Sequence, residues 1–167
     1  MLLAFPDKLR LMSLLIDDIK SIKEFPLRSC RESKFSNGGQ YFAAVNSTTI
    51  FIHSTWSYEL VATLKGHIGK IRSIHWSDDD TRLISSGMDG AVYEWNVFEG
   101  RRESENVLKS CSYYSAILAS KSGPIYATGN DNRLRAIQDG QVVKEYNLNA
   151  SVGHLFLAQT IFIAGKL

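Results

Sequence analysis

Clusters of turn-forming residues, each followed by a short apolar run, return roughly every 42 residues along this chain. A period of that length restricts the fold to stacked modules, each a supersecondary unit that buries its apolar faces against its neighbours. The turns align as Ser36-Asn37-Gly38-Gly39, Ser77-Asp78-Asp79-Asp80 and Ala119 to Pro124. These residue types bond neighbouring backbone amides or accept positive φ. Each turn follows a bulky residue and a small one (Phe35-Ser36, Trp76-Ser77, Leu118-Ala119) and precedes an apolar strand: Tyr41 to Val45, Arg82 to Ser86, Ile125 to Thr128.

A second turn then leads into a β-rich run in each module. The turns are Asn46-Ser47, Asp89-Gly90 and Asn130 to Asn132; the runs are Thr49 to His53, Ala91 to Trp95 and Leu134 to Ile137. Asp-Gly between alternating runs is a strong hairpin signal, because Gly accepts the positive φ that the turn imposes. A more polar strand closes each module (Leu60 to Leu64, Arg102 to Lys109, Gln141 to Leu148), as an edge facing solvent requires. Each unit therefore reads as a four-stranded antiparallel sheet, and the chain contains no convincing helix.

The repeat divides the chain into residues 1–28, the end of a preceding module, three modules at 29–65, 66–109 and 110–150, and the start of another at 151–167. Lys8 to Phe25 fits the last two strands of the first of these, and Val152 to Leu167 the first two strands of the last. The apolar run Leu9 to Ile16 reads as a buried strand. Met1 to Phe5 is too short and too quickly interrupted by Pro6 and Asp7 for a secretory leader.

Composition narrows the function. The chain has 167 residues, 44% hydrophobic and 22% charged, which suits an ordinary soluble globular sequence. Its net charge of +2, from 19 basic and 17 acidic residues, supplies no overall basic field of the kind that nucleic-acid binding uses. Cys30 and Cys111 stand alone, so neither a zinc site nor a disulfide framework is expected, and a reducing compartment fits better.

Gly66-His67 followed by Trp95-Asn96 resembles the WD40 repeat, with Asn where the second signature residue is usually Asp. The resemblance implies an all-β, WD40-type β-propeller fragment of four-stranded antiparallel blades forming an incomplete ring. It also implies a structural tetrad of His67, Ser85, Asp89 and Trp95, in which Trp95 donates to Ser85, Ser85 pairs with His67 and Asp89 holds His67. In the first module Ala44 and His53 stand where Ser85 and Trp95 would be. In the third, Thr128 is aligned with Ser85, Ile137 replaces Trp95 and no histidine precedes them. Lys70, Arg72 and Met88 match positions on the family's narrower face, a candidate partner-binding face. Solvated charges and one ordinary apolar residue account for them equally well.

Asp7 to Met12, Gly66 to Tyr93 and Arg102 to Tyr113 are further similar to a family of long axonemal WD40 proteins in which a coiled coil follows the repeats. That closer resemblance implies a fragment or truncated isoform located in the cytoplasm and the ciliary axoneme. It also implies protein partners among inner dynein arm components, and no nucleic acid or membrane. A general cytosolic WD40 adaptor remains open beside it, as does, from another class, an enzyme site on a propeller axis.

Chemistry finds little support in the residues. Ser85, His67 and Asp89 could suggest nucleophilic catalysis, but Ser85 lies in an apolar strand and no Gly-x-Ser-x-Gly elbow exists. His53, His75 and His154 are scattered without partners at metal-ligand spacing. Asp78 to Asp80 read as a turn rather than a calcium loop, and Gly38-Gly39 and Gly87 build no phosphate loop. The expectation is a non-enzyme with no cofactor and no metal.

Overall fold

The computed structural model describes residues 1–150 and 152–155. Within them the chain forms β1 (Leu2–Ala4), β2 (Leu9–Leu14), β3 (Ile19–Phe25), β4 (Cys30–Phe35), β5 (Tyr41–Asn46), β6 (Thr49–Ser54), β7 (Leu60–Lys65) and β8 (Ile71–Trp76). It continues through β9 (Arg82–Gly87), β10 (Ala91–Asn96), β11 (Arg101–Val107), β12 (Tyr113–Leu118), β13 (Ile125–Gly129), β14 (Arg133–Gln138) and β15 (Gln141–Asn147). No described residue is helical. The strands form a three-stranded sheet, β1 to β3, and three four-stranded sheets, β4 to β7, β8 to β11 and β12 to β15. All pairings are antiparallel between strands consecutive in sequence.

The first sheet holds one strand more than the sequence suggests. Leu2–Ala4 pairs with β2, a segment too short for its alternation to register. The buried strand expected over Leu9 to Ile16 stops at Leu14. Leu15 and Ile16 lie in the turn to β3, with Ile16 fully in solvent at 101% exposure. The two strands expected over Val152 to Leu167 fall largely outside the described residues; 152–155 are described and form no strand.

Turn chemistry sets the hairpins. Gly90 has φ +74°, and a Cβ there would lie 2.1 Å from the Leu108 carbonyl oxygen, so only glycine fits. Ser47 and Asn132 hold left-handed φ values of 56° and 57° in the corresponding turns of the other two sheets. Serine carries a cost there that the surrounding ladder must offset.

Three apolar cores lie between successive sheets. Leu9, Leu11 and Phe25 meet Phe42 and Ala44 between the first and second. Ala43, Ile50 and Ile52 meet Ile74, Trp76 and Leu83 between the second and third. Ile84 and Val92 meet Tyr113, Ala116 and Ile125 between the third and fourth. Neighbouring residues of one strand thus enter opposite cores: Phe42 and Ala43, then Leu83 and Ile84. Such strands have no solvent face, which is why β9 and β10 read as nearly continuous apolar and small residues.

Polar contacts tie the sheets where the apolar cores end. Asp80 accepts from the amides of Asn37 and Gly38, both at 2.7 Å. Trp76 Nε1 donates to the Lys34 carbonyl at 3.2 Å, and the Ala116 amide to Ser73 Oγ at 3.2 Å. The outward face of the first sheet is charged, Glu24 accepting from Lys8 at 3.0 Å and from Arg10 at 2.6 Å. The first strands β4, β8 and β12 pack side by side, which puts them on the inner side of the arc.

Ile74 is fully buried between the second and third sheets. Ile74→Ala is expected to destabilise the fold by about 2–4 kcal/mol, through lost transfer energy and the cavity left behind. Thermal and urea unfolding followed by circular dichroism would measure this; a cost below about 1 kcal/mol would mean that those sheets are not packed as described.

Candidate functional site

The loop before β8, the middle of β9, the β9–β10 turn and the end of β10 bring His67, Ser85, Asp89 and Trp95 into one hydrogen-bonded chain. Trp95 Nε1 donates to Ser85 Oγ at 2.8 Å, and Ser85 Oγ lies 2.8 Å from His67 Nε2. His67 Nδ1 lies 3.0 Å from Asp89 Oδ2, which also accepts from the amides of Ile68 at 2.9 Å and Gly69 at 3.2 Å. The proton count fixes the direction of donation. Indole N–H can only donate, so Ser85 accepts it and turns its own hydroxyl proton to His67 Nε2. That nitrogen is then an acceptor, and Nδ1–H donates to Asp89.

Neutral imidazole is the form this chain of bonds requires, and burial favours it by lowering the His67 pKa against the pull of Asp89. Burial acts to raise the Asp89 carboxyl; the His67 ring and the Gly69 and Ile68 amides outweigh it and hold the carboxyl below its ordinary range. The His67 and Asp89 side chains are 0% and 3% exposed. Ser85 is fully buried with its oxygen engaged on both sides, so no substrate can reach it. The arrangement stiffens a blade and offers no free nucleophile.

The neighbouring blades fill the same positions differently. Ala44 occupies the Ser85 position of the second sheet and His53 the Trp95 position. The His53 ring stacks on Phe42 at 5.2 Å and tilts against Phe25 at 4.8 Å. Its buried ring nitrogens lack a well-formed hydrogen bond, and burial lowers its pKa against a weaker opposing pull from the Tyr58 and Glu59 backbone. In the fourth sheet the ladder corrects the sequence alignment. Tyr113 pairs with Gly129 as Ile71 pairs with Gly87, which puts Ala127, not Thr128, at the Ser85 position. Thr128 corresponds to Ser86, and its buried hydroxyl is unpaired.

Arg135 carries the polar load of that blade, and the sequence reading missed it. Its side chain is 2% exposed, bonds Glu145 at 2.7 Å, chelates Asp131 and lies over the Tyr113 ring at 5.9 Å. Burial would lower its pKa, but Asp131 and Glu145 overcome that and keep it charged. An Asp131–Arg135 spacing inside a hairpin was the available signal.

Lys70, Arg72 and Met88 come together at the end of the sheets that carries the His67 loop. The Met88 amide donates to the Lys70 carbonyl at 2.9 Å. All three side chains line a cavity of about 340 Å³, shared with Arg31 and Glu32. Among the described residues no group of three or more His, Cys, Asp or Glu side chains could hold a metal ion.

Comparison with known proteins gives this architecture a family. Residues 58–96 match the WD40 family, described as WD domain, G-beta repeat. The chain contains a WD40 repeat. It is 54% identical over 141 residues to cilia- and flagella-associated protein 57 of Mus musculus, covering 84% of this chain and 11% of that protein. It is 36% identical over 151 residues to cilia- and flagella-associated protein 57 C of Tetrahymena thermophila, covering 78% of this chain and 12% of that one. The chain thus spans about a tenth of the length of these relatives. Its fold is similar to the β-propeller domain of Cps50 (Swd1) from Myceliophteria thermophila, with a TM-score of 0.63 and 21% identity over 70% of this chain and 36% of that one. As in a propeller the sheets are blades, here in an open arc rather than a closed ring.

Ser85→Ala in this WD40 chain would strand the Trp95 N–H and His67 Nε2 together. The expected loss is about 2–4 kcal/mol, read from chemical unfolding, with a shifted Trp95 indole proton resonance. Wild-type stability accompanied by an unchanged resonance would contradict the hydrogen-bonded chain.

Burial lowers the pKa values of His53, His67 and His75. Each therefore binds its proton more readily in the unfolded chain, so its contribution to stability is present above the ordinary histidine value near 6.5 and is lost as pH falls below it. His53→Phe removes the two buried ring nitrogens while keeping an aromatic ring. It is expected to raise stability by about 1 kcal/mol at neutral pH and to flatten the acid limb of the pH–stability curve. A variant as acid-sensitive as the wild type would rule out His53 as a source of that limb.

Proposed function

We propose that the chain is part of a non-enzymatic protein-interaction scaffold of the ciliary or flagellar axoneme, where it helps to dock or assemble inner dynein arms. The observation that carries this reading is its 54% identity, across most of its length, to a cilia- and flagella-associated protein. The closed His67–Ser85 pair supports a scaffold over a catalyst. Among the described residues, Ser85, His67 and Asp89 stand in the order of a nucleophile, base and orienter, and they are buried and mutually satisfied.

In this reading the tetrad His67, Ser85, Asp89 and Trp95 locks one blade, and Lys70, Arg72 and Met88 belong to the surface that meets the partner. Rigid sheets hold such loop-end residues in place before binding, so little ordering entropy is lost on contact. The location follows as cytoplasm and axoneme, and the partners as dynein-arm proteins.

The test uses the tagged full-length protein that contains this chain, expressed in ciliated cells. Axonemal enrichment is expected, together with co-purification of dynein-arm subunits. In Lys70→Glu/Arg72→Glu, recovery of those subunits should fall at least about tenfold as favourable charge contacts become repulsive. Diffuse signal outside the cilium would refute the axonemal placement. Unchanged recovery in the double variant would remove Lys70 and Arg72 from the contact surface.

A further inference from the structure

The innermost strands share a defect in their ladders at the same place. In β4 the register shifts between Cys30 and Ser33, in β8 between Ile71 and Ser73, and in β12 between Tyr113 and Ser115. Arg31, Arg72 and Tyr114 are the first residues left out of the ladder at these bulges, and in β4 Glu32 is left out as well. A bulge bends its strand and re-aims the extra side chain, a device found where a sheet presents a residue to a ligand. The three occupy one position of the repeat, on three strands packed side by side.

These side chains open onto adjoining hollows. Arg28, Arg31 and Lys70 line one of about 250 Å³. Arg31, Lys70 and Arg72 line the one of about 340 Å³ that also holds Met88. Arg72 and Tyr114 line a third of about 250 Å³. None of the four cationic side chains forms a hydrogen bond or ion pair within the described residues. Glu32 is the one carboxylate among the lining residues, and Lys34 engages it at 3.4 Å. Many cations elsewhere are matched: Arg10 by Glu24, Arg82 by Glu94, Arg133 by Glu145, Arg135 by Asp131. Four unpaired cations, Arg28, Arg31, Lys70 and Arg72, thus gather on the inner, loop-end surface of a chain whose net charge is only +2.

From this geometry we infer that the inner surface formed by Arg28, Arg31, Lys70, Arg72 and Tyr114 binds an acidic, extended peptide segment of a protein partner. The inference rests on the scaffold reading and specifies the chemistry of its partner. Arg31 and Arg72 present planar forks that can each take a carboxylate through two parallel N–H donors. Tyr114 and Met88 supply apolar contact between the charged points. Successive hollows along neighbouring strands suit a chain laid across the blades better than a single small anion. A nucleic acid fits less well, because the chain as a whole carries a net charge of only +2.

Fluorescence anisotropy on the full-length protein tests the proposal, using a short labelled peptide of alternating Glu and Gly and a matched peptide with Gln for Glu. The Glu peptide should bind at least about tenfold more tightly, and about tenfold of that should vanish in Arg31→Gln/Arg72→Gln. Arg101→Gln/Arg133→Gln removes equal charge from exposed sites on the outer two strands of their blades and should leave binding unchanged. Raising NaCl from about 50 to about 200 mM should weaken the complex. Equal affinity for the two peptides, equal loss in the outer-strand control, or tighter binding of a single-stranded oligonucleotide of the same charge would overturn the proposal. Undiminished recovery of axonemal partners by Arg31→Gln/Arg72→Gln would overturn it too, yet would leave the scaffold reading standing. Failure to recover any axonemal partner with the wild type would sink the scaffold reading itself.

Discussion

The structure depends on burying both faces of every central strand. Leu83 and Ile84 follow one another in β9 and enter different cores, one toward each neighbouring blade. Phe42 and Ala43 do the same in β5. No blade can satisfy such a strand alone, so each is stable only as the neighbour of another. Apolar burial therefore acts between modules more than within them. The polar contacts at the blade boundaries, such as Asp80 on the Asn37 and Gly38 amides, set the angle at which the cores close.

Within that frame each blade solves one internal problem by different means. The turn between its second and third strands must be held against the loop that enters its first. The third sheet does so with a neutral histidine between a serine and an aspartate. The fourth uses a buried arginine bridging Asp131 and Glu145. The second places an aromatic stack of Phe25, His53 and Phe42 at the far end of the same hairpin, where Phe42 pairs with His53. The two bonded arrangements fix their geometry through hydrogen bonds, whereas the stack holds its histidine by ring contacts.

Most of the ladder was legible in the sequence, because turn chemistry and apolar alternation are local signals. The hairpins around Asn46-Ser47 and Asp89-Gly90 follow from their residue types alone. β1 was not legible, since Leu2–Ala4 is only three residues long and its pairing depends on β2 folding back. Thr128 was set against Ser85 because both are hydroxyl residues, whereas the shared glycine, Gly87 with Gly129, fixes the register one residue away. Arg135 escaped because a charge inside a strand looks solvent-facing until its partners are placed around it. The inner arginines were half legible. Arg72 stood out beside the His67 loop, but Arg31 belongs with it only once the bulges are seen to coincide.

Those coincident bulges separate two tasks that a repeat must otherwise perform with the same residues. The cores dictate most of what β8 and β12 can be, but the bulged residue is excused from the ladder. It is a slot open to the axis, filled here by Arg, Arg and Tyr in successive blades. A propeller built this way can change what it recognises one blade at a time, with its curvature untouched. The inner rim then works as a row of interchangeable letters, held at fixed spacing by a frame that does not depend on what they spell.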